Sequence, residues 1–395
     1  MGEGVLSGLR ILDFTWMLAG PYATRIFADF GAEVIKVQSK KAARGVESNL
    51  APYFNTWNRN KRSISLDLSH PEAREIVLKL TAKCDVVIEN FSPRVMPNWG
   101  LDYKKLKERK PDLIMLSMSA MGQGGPWKDY VAFAPTLHSL SGLTHLTSFE
   151  KGAPSGPGYA YADIVAGLYA AFAVLAALEY RDRTGWGQYI DLSEYEAICT
   201  LMGPSLLDSS VNDREIQPQG NSPDHIAASP YGCYKCSGED RWCAMAVSKE
   251  EEWRSLCRVM NYPDWMKDER FATAARRKEN RKDLDELLTQ WTIQHTAEEA
   301  VGLLQGAGIS AGVVQNAQDL SRDPQLKARN FFVQLEHPIL GKTISDRSPI
   351  RFEEDLTVGW EAAPQLGEDN RYVFLELLGL TESELSSYTE KGIIG

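Results

Sequence analysis

Over the first 120 residues, short runs of branched apolar side chains alternate with amphipathic stretches. Residues 9–15, LRILDFT, read as a strand. Residues 21–31, PYATRIFADFG, follow with helical spacing, Pro21 near the start and Gly31 at the end. AEVIKVQ (32–38) is the next strand. Ser69, Pro71 and Glu72 open a helix running to about residue 84, with Ser69 and Glu72 spaced as a capping box. DVVIENF (85–91) is a strand, 102–109 a helix, and LIMLSMSAM (113–121) a strand. This β-α-β-α-β order predicts an α/β fold with a parallel sheet, and the near-continuous Val/Ile/Leu strands predict burial on both faces.

Further along, an uncharged run (164–178) lies inside a helix expected over about 161–181, and RTGWGQYIDLS (183–193) gives a turn and a strand. Residues 203–230 read as loop, because Pro204, Pro218, Gly220, Asn221 and Pro223 interrupt any periodicity. Residues 231–320 pattern as a hairpin plus helices. Strand-like segments past about 325 and a helix over 370–378 end the chain. The expected organisation is a large domain over 1–205 completed by 326–395, a linker over 206–224, and a small α+β domain over 225–325.

Composition narrows the function. The chain has 395 residues, 43% of them hydrophobic, and a net charge of -10 without a long basic stripe, so no nucleic-acid partner is expected. The N-terminus lacks the basic-then-apolar order of a signal peptide, and the uncharged run falls short of the ~20 residues that span a bilayer. A cytoplasmic protein without a membrane partner is expected. Cys233 and Cys236 form one C-x-x-C with no second close pair. They read as free thiols on opposite faces of a strand, and the six histidines show no metal spacing.

There is no G-x-S-x-G elbow, Walker loop or H-E-x-x-H, and GQGGP (122–126) reads as a glycine turn. His138 and His145 read as packed or surface residues. Asp163 remains, alone before the uncharged run in GPGYAYADIVAG. An aspartate at a helix start accepts backbone N–H groups and meets the positive dipole end. The same setting favours the ionised form, which is nucleophilic without a general base. The residues alone leave both roles open.

LRILDFTWMLAGPYATRIFADFGAEVIKVQ, NRNKRSISLDL (58–68), DVVIENFSP (85–93), AMGQGGP (120–126), the Asp163 segment and RTGWGQYIDLSEYEA (183–197) resemble, in order, the class III coenzyme A transferases, the formyl-CoA and carnitine-CoA transferase family. DRWCAMAV, WRSLC and DPQLKARNFF extend the resemblance. It implies a Rossmann-like large domain, an interlocked-ring dimer, and a nucleophilic Asp163 that passes through a mixed anhydride and an aspartyl-CoA thioester. It places Met17, Leu18 and Ala19 beside the thioester, Asn90 and Phe91 on the pantetheine arm, and Leu66 near the nucleotide. Coenzyme A thioesters are then substrates, with no permanently bound cofactor and no metal.

Gln38, Ser39, Ser69, Asn98 and Val131 depart from formyl-CoA transferase, several where that enzyme has basic residues. Lys40, Lys41, Lys61, Arg62 and Arg94 are nearby cations for phosphate contacts, and Trp16 stands where the family has Arg or His. FAPTLHSLSGLTHLTSF (133–149) resembles the branch acting on aryl- or alkylsuccinates, including the benzylsuccinate CoA-transferases of aromatic hydrocarbon degradation, with succinyl-CoA as donor. That branch implies either a homodimer or a heteromer with a paralogous subunit. Two other readings compete: a weakly active partner subunit, and an acyl-CoA racemase, which needs a base where Phe133 stands.

Overall fold

The computed structural model describes residues 4–149, 152–218, 220, 228–353 and 359–395. The chain divides into two compact units. One comprises residues 1–144, 156–216 and 328–395, and the other 145–155 and 217–327.

The first unit is built on six strands: β1 (Arg10–Asp13), β2 (Glu33–Gln38), β3 (Arg62–Ser65), β4 (Val86–Glu89), β5 (Ile114–Ser119) and β6 (Tyr189–Ser193). All pairs are parallel and the order is β3-β2-β1-β4-β5-β6. That order is Rossmann-like, and its switch point lies between β1 and β4. Leu12, Ile35, Ile64, Val87 and Met115 face one apolar layer, made by α2 (Pro71–Thr81), α3 (Tyr103–Arg109) and the chain end, with Val373, Phe374 and Ile393 in it. The alternate residues Ile11, Val34, Ile88 and Leu116 are just as buried on the opposite face. There α1 (Ala19–Asp29) packs against α5 (Tyr161–Thr184).

Helix α5 has 24 residues and ends at Gly185, whose φ of 76° permits the left-handed cap. Among the described residues it alone is long and apolar enough to cross a membrane. It also packs on β5 and buries Val165, Ala166 and Ala170, as a core helix does. After β6 come α6 (Glu194–Cys199) and α7 (Gly203–Asn212), and α4 (Ala134–Leu140) precedes α5.

Three expectations are corrected. Residues 203–212 form a helix, because Pro204 sits in its first turn, where a missing N–H costs nothing. Ser69 is not a capping residue: Pro71 makes His70 the N-cap, and the Ser69 N–H and hydroxyl donate to Asp67 at 3.0 and 2.7 Å. The expected helix over 370–378 is a π-helical turn, Tyr372–Leu377, followed by an unforeseen α-helix, Glu382–Glu390, opened by a Thr381/Glu384 capping box.

The second unit has a three-stranded antiparallel sheet, β7 (Tyr231–Lys235), β8 (Trp242–Ala246) and β9 (Ser310–Val313), in that order. Its core gathers Tyr234, Trp253, Leu256, Phe271, Leu284 and Leu304. Cys233 is exposed and Cys236 buried.

Candidate active site

In open parallel sheets, ligands bind beyond the carboxyl ends of the strands at the switch point. Here that position lies between the segment after β1 and the segment after β4, and hydrogen bonds clamp the first of these. The Asp13 carboxylate accepts from Thr15 N–H at 2.8 Å and from the Thr24 hydroxyl at 2.7 Å. It pairs with Lys61 at 3.1 Å, both side chains fully buried. Burial would raise the Asp13 pKa, but Lys61 and Lys36 outweigh it and hold the carboxyl ionised. Lys36 donates to the Thr15 carbonyl at 2.7 Å. Asn90 accepts from Trp16 N–H at 2.8 Å and donates to the Trp16 carbonyl at 3.0 Å. Glu47 accepts from Met17 N–H at 2.7 Å. Met17 has a φ of 61°, a conformation that such fixation sustains and that clusters at functional sites.

This loop delivers Ala19, the first residue of α1, to Asp163 in the first turn of α5. Burial pushes the Asp163 carboxyl up to about 6, while the backbone amides of Asp163 itself and of Ala19 favour the anion. Among the described residues, no cation is a cause of the shift. Asp163 Oδ2 is buried and has no hydrogen-bond partner among the described residues. The approach of the two helices requires Gly167. A Cβ there would lie 2.9 Å from the Ala19 carbonyl oxygen and 2.8 Å from Tyr22 Cδ1.

Other groups feel Asp163. Burial and the Asp163 charge push Glu194, at the start of α6, up to about 8, and the Tyr53 phenol up to about 12. Glu89, at the end of β4, is pushed up to about 7 by burial and accepts from Phe91 N–H at 2.7 Å. His138 on α4 accepts from Ala162 N–H at 3.1 Å through Nε2. With Glu194 protonated, an ionised Asp163 has the chemistry of a nucleophile.

The structure brings the Ala19 amide to Asp163, with Met17 and Leu18 preceding it in the chain, and ties Asn90 to that loop. Phe91 is half-buried against Trp99 at 5.5 Å, and Leu66 is core, 1% exposed. Arg94 is exposed and free of ion pairs among the described residues, so it stands available at the carboxyl-end rim, as does Lys40. Lys41 pairs with Asp67 at 3.0 Å. Two expected phosphate contacts are corrected. Lys61 is buried on Asp13. Arg62 begins β3 at the opposite edge of the sheet and pairs with Glu33 and Asp369. A cleft of about 720 Å³ opens at that opposite edge, lined by Glu33, Asn60, Arg62 and Trp360, away from Asp163. Glu47, Tyr53 and Glu194 are not among the residues expected from the sequence, and His138, expected to be packed or at the surface, is packed at 4% exposure. No local spacing marks them, since each reaches the site through tertiary packing.

Residues 6–370 match the profile of CoA-transferase family III. The chain is 31% identical to a succinyl-CoA–D-citramalate CoA-transferase of Chloroflexus aurantiacus, over 98% of each chain. It is 31% identical to the succinyl-CoA:glutarate CoA-transferase of Mus musculus, over 98% of this chain and 90% of that one. A succinyl-CoA:mesaconate CoA-transferase of Haloarcula hispanica is 33% identical over 92% and 94%. The crystal structure of a CAIB/BAIF family protein from Brucella suis superposes with a TM-score of 0.87 at 31% identity, covering 95% of this chain and 100% of that one.

Proposed function

Because the chain belongs to CoA-transferase family III, and is therefore an enzyme that moves CoA between carboxylic acids, we propose that Asp163 is its nucleophile and succinyl-CoA its donor. The observation that carries the proposal is the Asp163 carboxylate itself, presented at two helix starts with Oδ2 unpartnered. Asp163 attacks the thioester carbonyl; the C–S bond breaks and CoA leaves as thiolate, leaving a mixed anhydride. The thiolate attacks the aspartyl carbonyl and releases the donor as its carboxylate. The acceptor carboxylate then attacks the aspartyl-CoA thioester and expels the thiolate, giving a second mixed anhydride; the thiolate attacks the acceptor carbonyl of that anhydride and frees the Asp163 carboxylate. Every nucleophile and every leaving group is an anion, so no net proton is consumed. The amides of Asp163 and Ala19 favour the charged aspartate before it attacks and again when it is released.

Relatives named for citramalate, glutarate and mesaconate support a dicarboxylic acceptor. Within that class an aryl- or alkylsuccinate such as benzylsuccinate is proposed, on the resemblance of residues 133–149 and the exposed rings of Trp16 and Phe133. Racemisation is not favoured: Phe133, 57% exposed, takes no proton. Exposed Leu168, Phe172 and Leu175 on α5, with Leu206, Leu207 and Val211 on α7, support an interlocked dimer of this chain or a pair with a paralogue. The engagement of Lys61 and Arg62 elsewhere favours a second reading, a weakly active partner subunit.

The test is exchange between succinyl-CoA and a panel of acids by the purified chain. Wild type is expected to turn over, and Asp163→Ala to lose at least about a thousandfold while still binding CoA. Turnover in that variant rules out the nucleophile, and an inert wild type favours the partner-subunit reading.

A further inference from the structure

Helix α5 begins without a capping side chain. Its N-cap is Ala160, and the first four N–H groups of any α-helix lack intrahelical acceptors. The Tyr161 N–H turns back to the Tyr159 carbonyl at 2.8 Å. Ala162 is fully buried, so its N–H has no access to water, and its acceptor is His138 Nε2, 24 residues earlier in the chain. His138 is itself 4% exposed, held on α4, which packs against both α5 and α6. A histidine that accepts through Nε2 must be neutral and carry its proton on Nδ1. The next residue along α5 is Asp163.

Resting on the proposed role of Asp163, we propose that His138 is the positioning residue for the nucleophile, a cap supplied from another helix that fixes the turn carrying Asp163 only while the imidazole is neutral. Protonation turns Nε2 from acceptor to donor. It then faces the Ala162 N–H donor to donor, and the turn loses its anchor. The titratable groups on the elements packed against α4 are Tyr161, Asp163, Tyr169, Glu179, Tyr180, Arg181, Asp182 and Arg183 on α5 and Glu194, Tyr195, Glu196 and Cys199 on α6; α4 carries none besides His138. None of them raises the imidazole. Burial alone acts, and it lowers the pKa, so the ring is neutral at pH 7 and gains its proton only in acid. Acid therefore silences the enzyme twice, once at Asp163 and once at His138.

The experiment compares wild type, His138→Gln and His138→Ala for kcat, the KM of succinyl-CoA and the pH dependence of kcat, with hydroxylamine trapping of the aspartyl thioester in each. Glutamine can still accept from Ala162 N–H, and alanine cannot. His138→Ala is expected to lose about tenfold in kcat, the worth of one hydrogen bond, with KM nearly unchanged. His138→Gln recovers most of that loss. Its acid limb falls one decade per pH unit, where the wild-type limb steepens toward two. Full kcat in His138→Ala, no recovery in His138→Gln, or identical acid limbs in wild type and His138→Gln would overturn the proposal. If His138→Ala does not fold, the two acid limbs decide alone. Failure of the Asp163 role would show separately, as no trapped aspartyl adduct in wild type.

Discussion

At the residue scale, the site is governed by which carboxyls keep their protons. Asp163, pushed by burial from 3.8 up to about 6, fills its proposed role only as the anion, so turnover is expected to fall as pH drops through 6. A pH–kcat profile checks this, and a flat profile down to pH 5 contradicts it. Stability runs the other way. A carboxyl whose folded pKa lies above its unfolded one binds more protons when folded, so its burial costs stability as pH rises from about 4 through 6. Asp163→Asn is therefore expected to be more stable than wild type at pH 7.5, by about 1–3 kcal/mol, in urea titrations. Glu194, pushed from 4.5 up to about 8, stays protonated at pH 7 and leaves Asp163 without a charged rival. Its burial costs nothing at acid pH and progressively more as pH rises from about 4.5 through 8. Glu194→Gln should thus melt higher than wild type at pH 9 and no higher at pH 4. Asp163 was legible as a candidate because a lone charge before an apolar helix stands out, but its spacing left helix start and nucleophile both open. Glu194 was not, because what singles it out is the approach of another helix.

At the element scale, most strands were legible because doubly buried strands are continuous apolar runs: β1, β2, β4 and β5 fall where those runs lie, while β3, RSIS, carries no such run and was not foreseen. Boundaries governed by one residue were not. Pro204 reads as a breaker until its place in a first turn is known, and Ser69 reads as a cap until Pro71 moves the helix start one residue on. The spacing between α1 and α5, which sets where the Ala19 amide meets Asp163, rests on Gly167. Gly167→Val puts side-chain atoms into the Ala19 carbonyl and the Tyr22 ring. It is expected to destabilise by about 1–3 kcal/mol and to lower kcat more than it raises KM. Denaturant unfolding and steady-state kinetics check this; a neutral substitution would mean the helices do not need to be so close.

At the scale of the whole molecule, chain segments far apart in sequence complete the Rossmann-like unit. The hairpin of β10 (Phe332–His337) and β11 (Gly341–Asp346) docks through Asp346, which accepts from Arg25 at 3.0 Å and from Arg59 at 2.9 Å. Arg59 is fully buried and also pairs with Asp29 at 2.6 Å. Removing Asp346 leaves part of a buried guanidinium uncompensated, and Asp346→Ala is expected to cost about 3 kcal/mol or more in thermal or urea unfolding. The chain end closes the β3 side: Ile393 accepts from Asp67 N–H at 2.9 Å, and Asp369 accepts from Ser63 N–H at 2.8 Å. No local pattern announces such pairings, since each joins residues about 300 positions apart.

The claim on which the rest depends is a covalent one, and it is read most directly by mass spectrometry of the intact chain and its peptides after mixing with succinyl-CoA and trapping with hydroxylamine or borohydride. The expected result is a single modified peptide carrying the change on Asp163. An unmodified Asp163 during demonstrable turnover, or modification at another carboxylate, would contradict it.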